Sequence, residues 1–441
     1  MKKLTSFFGG LGLLLVVALG IAVWIFVPWQ GLVGLVVLFA LWMAVTRRGR
    51  QASSITSVGV STLPQRIGSS LVVVVGIAGV VAVLVALLAM GEGYQDTLRR
   101  SGNEDTAIVM RGGSASEVMS VLDSNAVSVI EQAPGIARDT AGKPLASPEL
   151  VVAADLPVKG GTADDTGSVQ FRGVGDEAWR VRTNVKIIAG RAFKPGLREL
   201  VVGTGAQRQF AGLEPGHEVK LGNQVWTVVG VFSSGDAMES EVWGDASTIA
   251  STYRRGNSRG SVTVRLTDPG AFAAFKAALV SNPQIKVDVD TTLDYFSKQS
   301  ETMTKVIRVV GMVVGVIMAI GALFGALNTM FATVASRARE IATLRAIGFR
   351  GLPVVVAVML ETMLLALLGG VLGGVIAWLI FNGYTASTLG GGVGQLTFQF
   401  KVSPQLLWTG IKWALAIGFV GGLFPAVRAA RLPVTAALRE L

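Results

Sequence analysis

Six apolar stretches, Phe7–Val27, Leu32–Val45, Leu71–Met90, Val306–Val334, Leu352–Phe381 and Leu406–Val427, decide what this 441-residue chain can fold into. A helix needs about 20 mostly apolar residues to cross a bilayer, and each stretch meets or approaches that length. The chain is therefore read as a polytopic α-helical membrane protein with about six transmembrane helices. Leu32–Val45 is short, but Pro28-Trp29-Gln30 reads as a tight interfacial turn and makes the first two stretches a hairpin. Lys2 and Lys3 imitate the start of a signal peptide. The apolar run that follows exceeds the usual core of about 7–15 residues and no A-x-A-like site ends it, so it is expected to be retained. Only 15% of residues are charged, against roughly a quarter in soluble proteins. The 55 glycines suit membrane helices, which tolerate them.

Between Gly91 and Thr304 the sequence changes character. Charge is spread throughout, and short β-rich runs (Glu199–Val202, Gln224–Phe232, Ser261–Leu266) alternate with Gly and Pro turns. Ala115–Gln132 and Pro269–Val280 have the periodicity of amphipathic helices. These features predict an α+β domain of one or two lobes. The expected organisation is a transmembrane hairpin over 1–50, an amphipathic lead-in and first core helix over 51–90, the α+β domain over 91–304, and three core helices over 305–441 with a link helix at 335–349.

Sidedness follows from charge. The connections outside that domain carry thirteen basic residues, in clusters at Lys2–Lys3, Arg47–Arg66, Arg337–Arg350 and Arg428–Arg439, opposed only by Glu340 and Glu440. If every apolar run spans, all four clusters face one side, which the positive-inside rule makes cytoplasmic. Both termini are then cytoplasmic and 91–304 extracytoplasmic. The net +10 of the chain divides accordingly. Residues 91–304 hold 22 basic and 26 acidic residues and the rest 17 and 3, so the basic excess is a topological signal rather than a nucleic-acid footprint.

Several chemistries are excluded. With no Cys and one His, His217, thiol nucleophiles, zinc-thiolate sites and most acid/base arrangements fall away. GNSRG around Ser258 matches G-x-S-x-G, but a strand-like segment follows where a nucleophile elbow needs a helix. No G-x-x-x-x-G-K-[ST] string occurs, and the start at Gly203-Thr204-Gly205 fails as a dinucleotide fingerprint because position 208 is Arg. Energy must come from another subunit or from a gradient.

Within the spans the ionisable residues are Glu361 and Lys412. Glu361 is expected to form a hydrogen-bonded pair with Asn328, as polar residues often join membrane helices, with a mechanical role as the alternative; Lys412 can snorkel outward. Small-xxx-small pairs at Gly311/Gly315, Gly321/Gly325, Gly369/Gly373, Gly370/Gly374 and Gly418/Gly422 allow close helix approach, within the chain or at a dimer seam. Asn328–Phe349 reads as a helix capped by Gly348, with Ile341, Leu344 and Ile347 on one face and Arg337, Arg339, Glu340 and Arg345 at the polar positions. It could lie on lipid headgroups or dock into a groove of a cytoplasmic partner. The acidic stretch Glu239–Asp245 reads as a solvated loop anchored by Trp243, with contact to an adaptor or cargo as the alternative.

The string SRAREIATLRAIG (Ser336–Gly348), continued by LETMLLALLGGVLGG (Leu360–Gly374) and GGLFPAVRAARLPVTAALR (Gly421–Arg439), resembles ABC-transporter permeases of the superfamily that includes the MacB exporter, the LolC/LolE lipoprotein-release permeases and FtsX. Thr62–Gly93 is similar to the family's first core helix, and GRAFKPGLRELVVG with LEPGHEVKLGNQVWTVVGVF to its extracytoplasmic domain. The resemblance covers about residues 55–441. It implies an inner-membrane permease without its own cofactor, paired with a second copy or paralogue and driven by ATP bound to a cytoplasmic ABC ATPase subunit. A periplasmic adaptor and an outer-membrane channel are further candidate partners, besides membrane lipid. The coupling residues it implies are Arg337, Arg339, Glu340, Ile341, Leu344, Arg345 and Gly348. Its function would be export or envelope maintenance, with FtsX-like control of a cell-wall hydrolase as the alternative. The substrate class stays open. Two departures stand out: the N-terminal hairpin is extra to the family's four core helices, and Leu432–Arg439 (LPVTAALR) lacks the acids of the usual L-D-P-x-E-A-L-R.

Overall fold

Apolar length and glycine spacing account for the membrane part of the structure. The computed structural model describes residues 24, 27–161, 165–388 and 395–431; most of Phe7–Val27 and all of Leu432–Arg439 lie outside them. The chain forms two compact units, one of residues 1–90, 306–382 and 401–441, the other of 91–305 and 383–400.

Among the described residues, four helical segments are long and apolar enough to cross a membrane: Leu63–Arg100, Thr292–Ser336, Gly351–Phe381 and Pro404–Arg431. A fifth candidate is the pair α1 (Trp29–Val45) and α2 (Arg47–Ser61), bent by 99° at the break between them. Extended backbone at Thr46 ends α1, and the Thr46 hydroxyl caps α2 by accepting from the Gly49 amide at 2.9 Å. The helix α3 (Ile67–Arg100) follows a 3-10 turn at Leu63–Arg66. The others are α9 (Thr292–Ser336), α11 (Gly351–Phe381) and α12 (Pro404–Arg431), with a short α10 (Ala338–Ala346) between α9 and α11.

In lipid no hydrophobic force drives helices together, so close backbone approach supplies the packing. A Cβ on Gly373 would sit 2.4 Å from the Ala78 carbonyl oxygen, and one on Gly369 2.8 Å from that of Val74, which presses α11 onto α3. The other face of α11 meets α12, where Gly370 faces Ala414 and Gly418 faces Ala366. Gly422 lies against the Thr362 side chain, Gly374 against Leu407, and Gly311 and Gly315 of α9 against Leu87 and Leu84 of α3. Gly321 and Gly325 differ: nothing lies within 4 Å of where a Cβ would be, so among the described residues this pair packs against nothing.

The second unit is built on a ten-stranded sheet. Its strands are β1 (Thr106–Arg111), β2 (Ala146–Pro157), β3 (Thr166–Val174), β4 (Lys186–Gly190), β5 (Glu199–Gly203), β6 (Glu218–Leu221), β7 (Gln224–Ser233), β8 (Glu241–Asp245), β9 (Ser261–Arg265) and β10 (Val287–Thr291). The order is β10-β1-β9-β2-β3-β8-β5-β7-β4, with β6 paired to β7. The pairs β3–β8 and β5–β7 are parallel and the rest antiparallel. Helices α4 (Ser124–Glu131) and α8 (Ala271–Val280) cover β1, β9 and β10 through Ile130, Phe275 and Leu279. The short helices α5 (Glu177–Val181), α6 (Thr204–Gln209) and α7 (Ala246–Thr252) cover the remainder.

Two expectations are corrected here. Only Ser124–Glu131 of Ala115–Gln132 is helical, capped by the Asp123 carboxylate accepting from the Ala126 amide at 2.7 Å. Upstream, Ser120 Oγ accepts from the Arg111 amide and Glu117 turns into the interior, side-chain bonds that displace helical ones. Glu239–Asp245 is not a solvated loop, because all five residues of β8 are buried within the sheet. Its acids are satisfied internally. Glu241 accepts from Arg172 and from Trp243 Nε1, and Asp245 caps α7 by accepting from the Thr248 amide at 2.9 Å.

Residues 383–400, which join α11 to α12, belong to this second unit. Strands β11 (Thr385–Ser387) and β12 (Thr397–Gln399) pair with each other. The Thr397 amide donates to Ser240 Oγ at 2.8 Å, and the Gln395 amide donates to the Ser168 carbonyl at 2.7 Å. The run is short, without the length or periodicity that would mark it in the sequence as part of a sheet domain.

Candidate coupling site

The helix α9 ends at Ser336, and Arg337 breaks the helical path before α10 begins. The Arg337 side chain turns inward. Its Nε and Nη2 donate to Glu340 at 2.9 Å each, and its Nη1 donates to Oε2 of Glu361 on α11 at 2.8 Å. Arg337 and Glu361 are both buried, at 7% and 6% side-chain exposure. The hydrogen bonds from Arg337 hold the Glu340 carboxyl below its ordinary range. A Cβ on Gly59 of α2 would lie 3.2 Å from Glu361 Oε2, so α2 passes close over the pair.

The inner face of α10 is apolar. Ile341 is buried in a cluster with Ile55 of α2, Met330 and Val334 of α9, Val354, Ala357 and Val358 of α11, and Ala426 and Ala429 of α12, and Leu344 packs at its edge. The outer face carries Arg339, Thr343, Ala346 and Ile347, all exposed and spaced as one helical stripe. Arg345 is half-buried. At the C terminus Gly348 has φ +103, its amide donates to the Arg345 carbonyl at 3.2 Å, and the Phe349 amide donates to that of Leu344 at 3.1 Å. These are the two bonds of a Schellman cap, and Leu344 and Phe349 join the same apolar cluster, as the hydrophobic contact of that motif requires.

Several sequence expectations resolve differently at this site. Glu361 pairs with Arg337 rather than Asn328, which is exposed on α9. A guanidinium brings a full positive charge and five donors to a buried carboxylate, where an amide brings two donors and no charge. Ile347 does not share the buried face with Ile341; it is 70% exposed, because the helix stops at Ala346 and the chain turns at Gly348. Lys412 is half-buried, and its carbonyl accepts from Trp24 Nε1 at 3.1 Å. Ser258 sits in a turn before β9, its hydroxyl bonded to the Arg255 carbonyl, and His217 lies in a turn closed on Glu214. Arg66, read in the sequence only as one of the basic connection residues, places Nη1 in a buried position with no hydrogen-bond partner among the described residues.

A family model described as the MacB-like periplasmic core domain matches residues 70–282, and one described as the FtsX-like permease C-terminal matches 312–434. The macrolide export ATP-binding/permease protein MacB of Vibrio parahaemolyticus is 26% identical over 83% of this chain and 56% of its own length. The protein of the same name from Shewanella oneidensis is 25% identical over 83% of this chain and 57% of its own. The chain thus spans a little over half the length of these curated relatives. The periplasmic region of MacB from Actinobacillus actinomycetemcomitans aligns at 17% identity with a TM-score of 0.35, covering 46% of this chain and 95% of that one. With one matched model carrying the sheet domain and the other carrying the link and the helices after it, the chain belongs to the MacB/FtsX-type family of ABC-transporter permeases, membrane proteins with a periplasmic domain.

Proposed function

We propose that this chain is the transmembrane component of an ABC system for export or envelope maintenance, in which ATP-driven motion of a separate ATPase subunit is transmitted to the periplasmic domain. The ATPase docks on the outer face of α10, at Arg339, Thr343, Ala346 and Ile347, from the cytoplasmic side assigned by the basic connections. Motion passes inward through the Arg337–Glu361 pair and the apolar contacts of Ile341. The observation that carries this reading is the division of one short helix into an exposed stripe and a face fixed to α11 by a buried ion pair. A second permease copy completes the assembly, with the open Gly321/Gly325 face of α9 as one surface available to it.

The reading is tested by co-expression with the cognate ATPase. Arg339→Glu combined with Ile347→Asp is expected to abolish co-purification while leaving the permease folded. Glu361→Gln is expected to keep the complex but lower the ATPase activity it supports. Undiminished complex formation by the Arg339/Ile347 variant overturns the docking assignment.

A further inference from the structure

The chain has no acidic residue before Glu92, although Lys2, Lys3, Arg47, Arg48, Arg50 and Arg66 precede it. Arg47, Arg48 and Arg50 open α2. All three are exposed, and no carboxylate pairs with them among the described residues. Arg47 and Arg50 are i, i+3 neighbours on one face, a placement in which like charges destabilise a helix. The same face continues through Ser54, Ser57 and Ser61, also exposed. The opposite face is fixed by packing: Ile55 lies in the apolar cluster with Ile341 and Val354, and a Cβ on Gly59 would be 3.2 Å from Glu361 Oε2. That packing leaves the arginines outside, with a charge that no acid among the described residues offsets.

The neighbouring helix says what meets that charge. No residue of α1 is charged, and Leu38, Leu41 and Val45 form an exposed stripe along it, Val45 at 72%. The stripe ends two residues before Arg47. Such a surface suits hydrocarbon, and the 99° bend between α1 and α2 turns α2 along the level at which the hydrocarbon ends. An occupant of this corner therefore meets cations at one end and bare apolar helix at the other. A phospholipid has a phosphate and an acyl chain in that order, whereas a soluble protein covering the arginines has no apolar tail to lay along α1. A net-negative headgroup is favoured, because a zwitterionic one brings its own cation to a site that already holds three.

We propose that Arg47 and Arg50, with Arg48 beside them, bind the phosphate of one anionic phospholipid whose acyl chains run along Leu38, Leu41 and Val45. Guanidinium groups present paired N–H donors that match phosphate oxygens, and a phosphate shared by Arg47 and Arg50 removes their mutual repulsion. The far end of the same helix covers Glu361 and meets Ile341, so occupancy bears on the element that encloses the coupling pair. Lipid binding at α2 does not depend on the docking assignment at α10.

The test is native mass spectrometry of the full chain in neutral detergent, titrated with phosphatidylglycerol and phosphatidylcholine of identical acyl chains. The first phosphatidylglycerol is expected to bind at least about tenfold more tightly than phosphatidylcholine. Arg47→Gln combined with Arg50→Gln should remove most of that preference. Arg47→Lys with Arg50→Lys should keep it, because the charge remains, which separates loss of charge from loss of fold. Arg350→Gln with Arg431→Gln removes the same charge from two other exposed positions and should leave the first site unchanged. Equimolar glycerol phosphate, which offers the phosphate without the chains, should not displace the lipid. Equal affinity for the two lipids, no preference in the Lys pair, an equal loss in the Arg350/Arg431 pair or displacement by glycerol phosphate each overturns the proposal. So does an undiminished preference in the Gln pair, and if that pair also loses the ATPase, the patch belongs to an acidic protein surface.

Discussion

Arg337 Nη1 and Glu361 Oε2 stand 2.8 Å apart, joining the residue that opens the link to the interior of α11. A buried ion pair adds little net stability over an apolar pair of the same shape, because removing both charges from water is expensive. Its value is geometric. Once the charges are buried, neither partner can leave alone without stranding the other. Displacing the link therefore either carries α11 with it or strands Glu361, since Arg337 keeps Glu340 on the link and Glu361 keeps no such partner.

The two ends of that pair are not equivalent. Arg337→Leu leaves Glu361 buried and unpaired and should cost about 3–5 kcal/mol, whereas Glu361→Gln leaves Arg337 on Glu340 and should cost about 1–2 kcal/mol. Denaturant unfolding of both single variants and the double variant in detergent should return a coupling energy of about 0.5–3 kcal/mol. Strict additivity would mean that the pair is not made in the membrane.

The glycines separate in the same kind of measurement. Gly373→Ala and Gly418→Ala put a methyl 2.4 Å from the Ala78 carbonyl oxygen and the Ala366 Cβ, and each should destabilise the helices by about 1–3 kcal/mol. Gly321→Ala and Gly325→Ala enter open space and should leave the isolated chain unchanged or slightly stabilised. A loss at Gly321 or Gly325 seen only in the assembled complex would locate a neighbouring subunit on that face.

What could be read from the sequence divides by the range of the interaction. Apolar length found the four long helices, and local pattern found β5, β7 and β9 to within a residue or so of their ends. Gly348 was legible as a cap because the need for positive φ is local. Partners distant in sequence were not. Glu361 meets Arg337 across 24 positions, and Arg172 gathers Glu117, Glu149 and Glu241 from three segments. Periodicity says nothing about such meetings. Glu239–Asp245 misled because its acids suggested water, when an arginine on the neighbouring strand waits for one of them.

That arginine makes the periplasmic unit acid-sensitive. Burial opposes ionisation of Glu117, but the Arg172 guanidinium and the Ser261 hydroxyl outweigh it and hold the carboxyl below its ordinary 4.5. A depressed folded-state value means stability that is complete above pH 4.5 and is lost as pH falls through the folded value. Asp236, pushed up by burial, acts in the opposite sense. The protection factors of the β3 and β8 amides, with the pH dependence of intrinsic exchange divided out, should therefore fall on acidification below pH 4.5. Glu117→Gln should flatten that dependence, and Arg172→Met should cost about 3–5 kcal/mol even at neutral pH. An unaltered acid response in Glu117→Gln would assign the sensitivity elsewhere.

Orientation is the remaining link between charge and function. Outside residues 91–304 there are 17 basic residues and 3 acidic ones, and most of the excess lies on connections that share one side if every apolar run spans. The positive-inside rule makes that side cytoplasmic, and an ATPase can reach α10 only if it is so. The sequence contains no cysteine, so single substitutions give a clean report. Thr343→Cys and Arg50→Cys, both exposed, should resist a membrane-impermeant maleimide in intact spheroplasts and react after permeabilisation. Asn257→Cys, exposed before β9, should react at once. Thr343 and Asn257 labelling together from outside would mean that an odd number of crossings does not separate them, and the docking of an ATPase at α10 would fail with the topology.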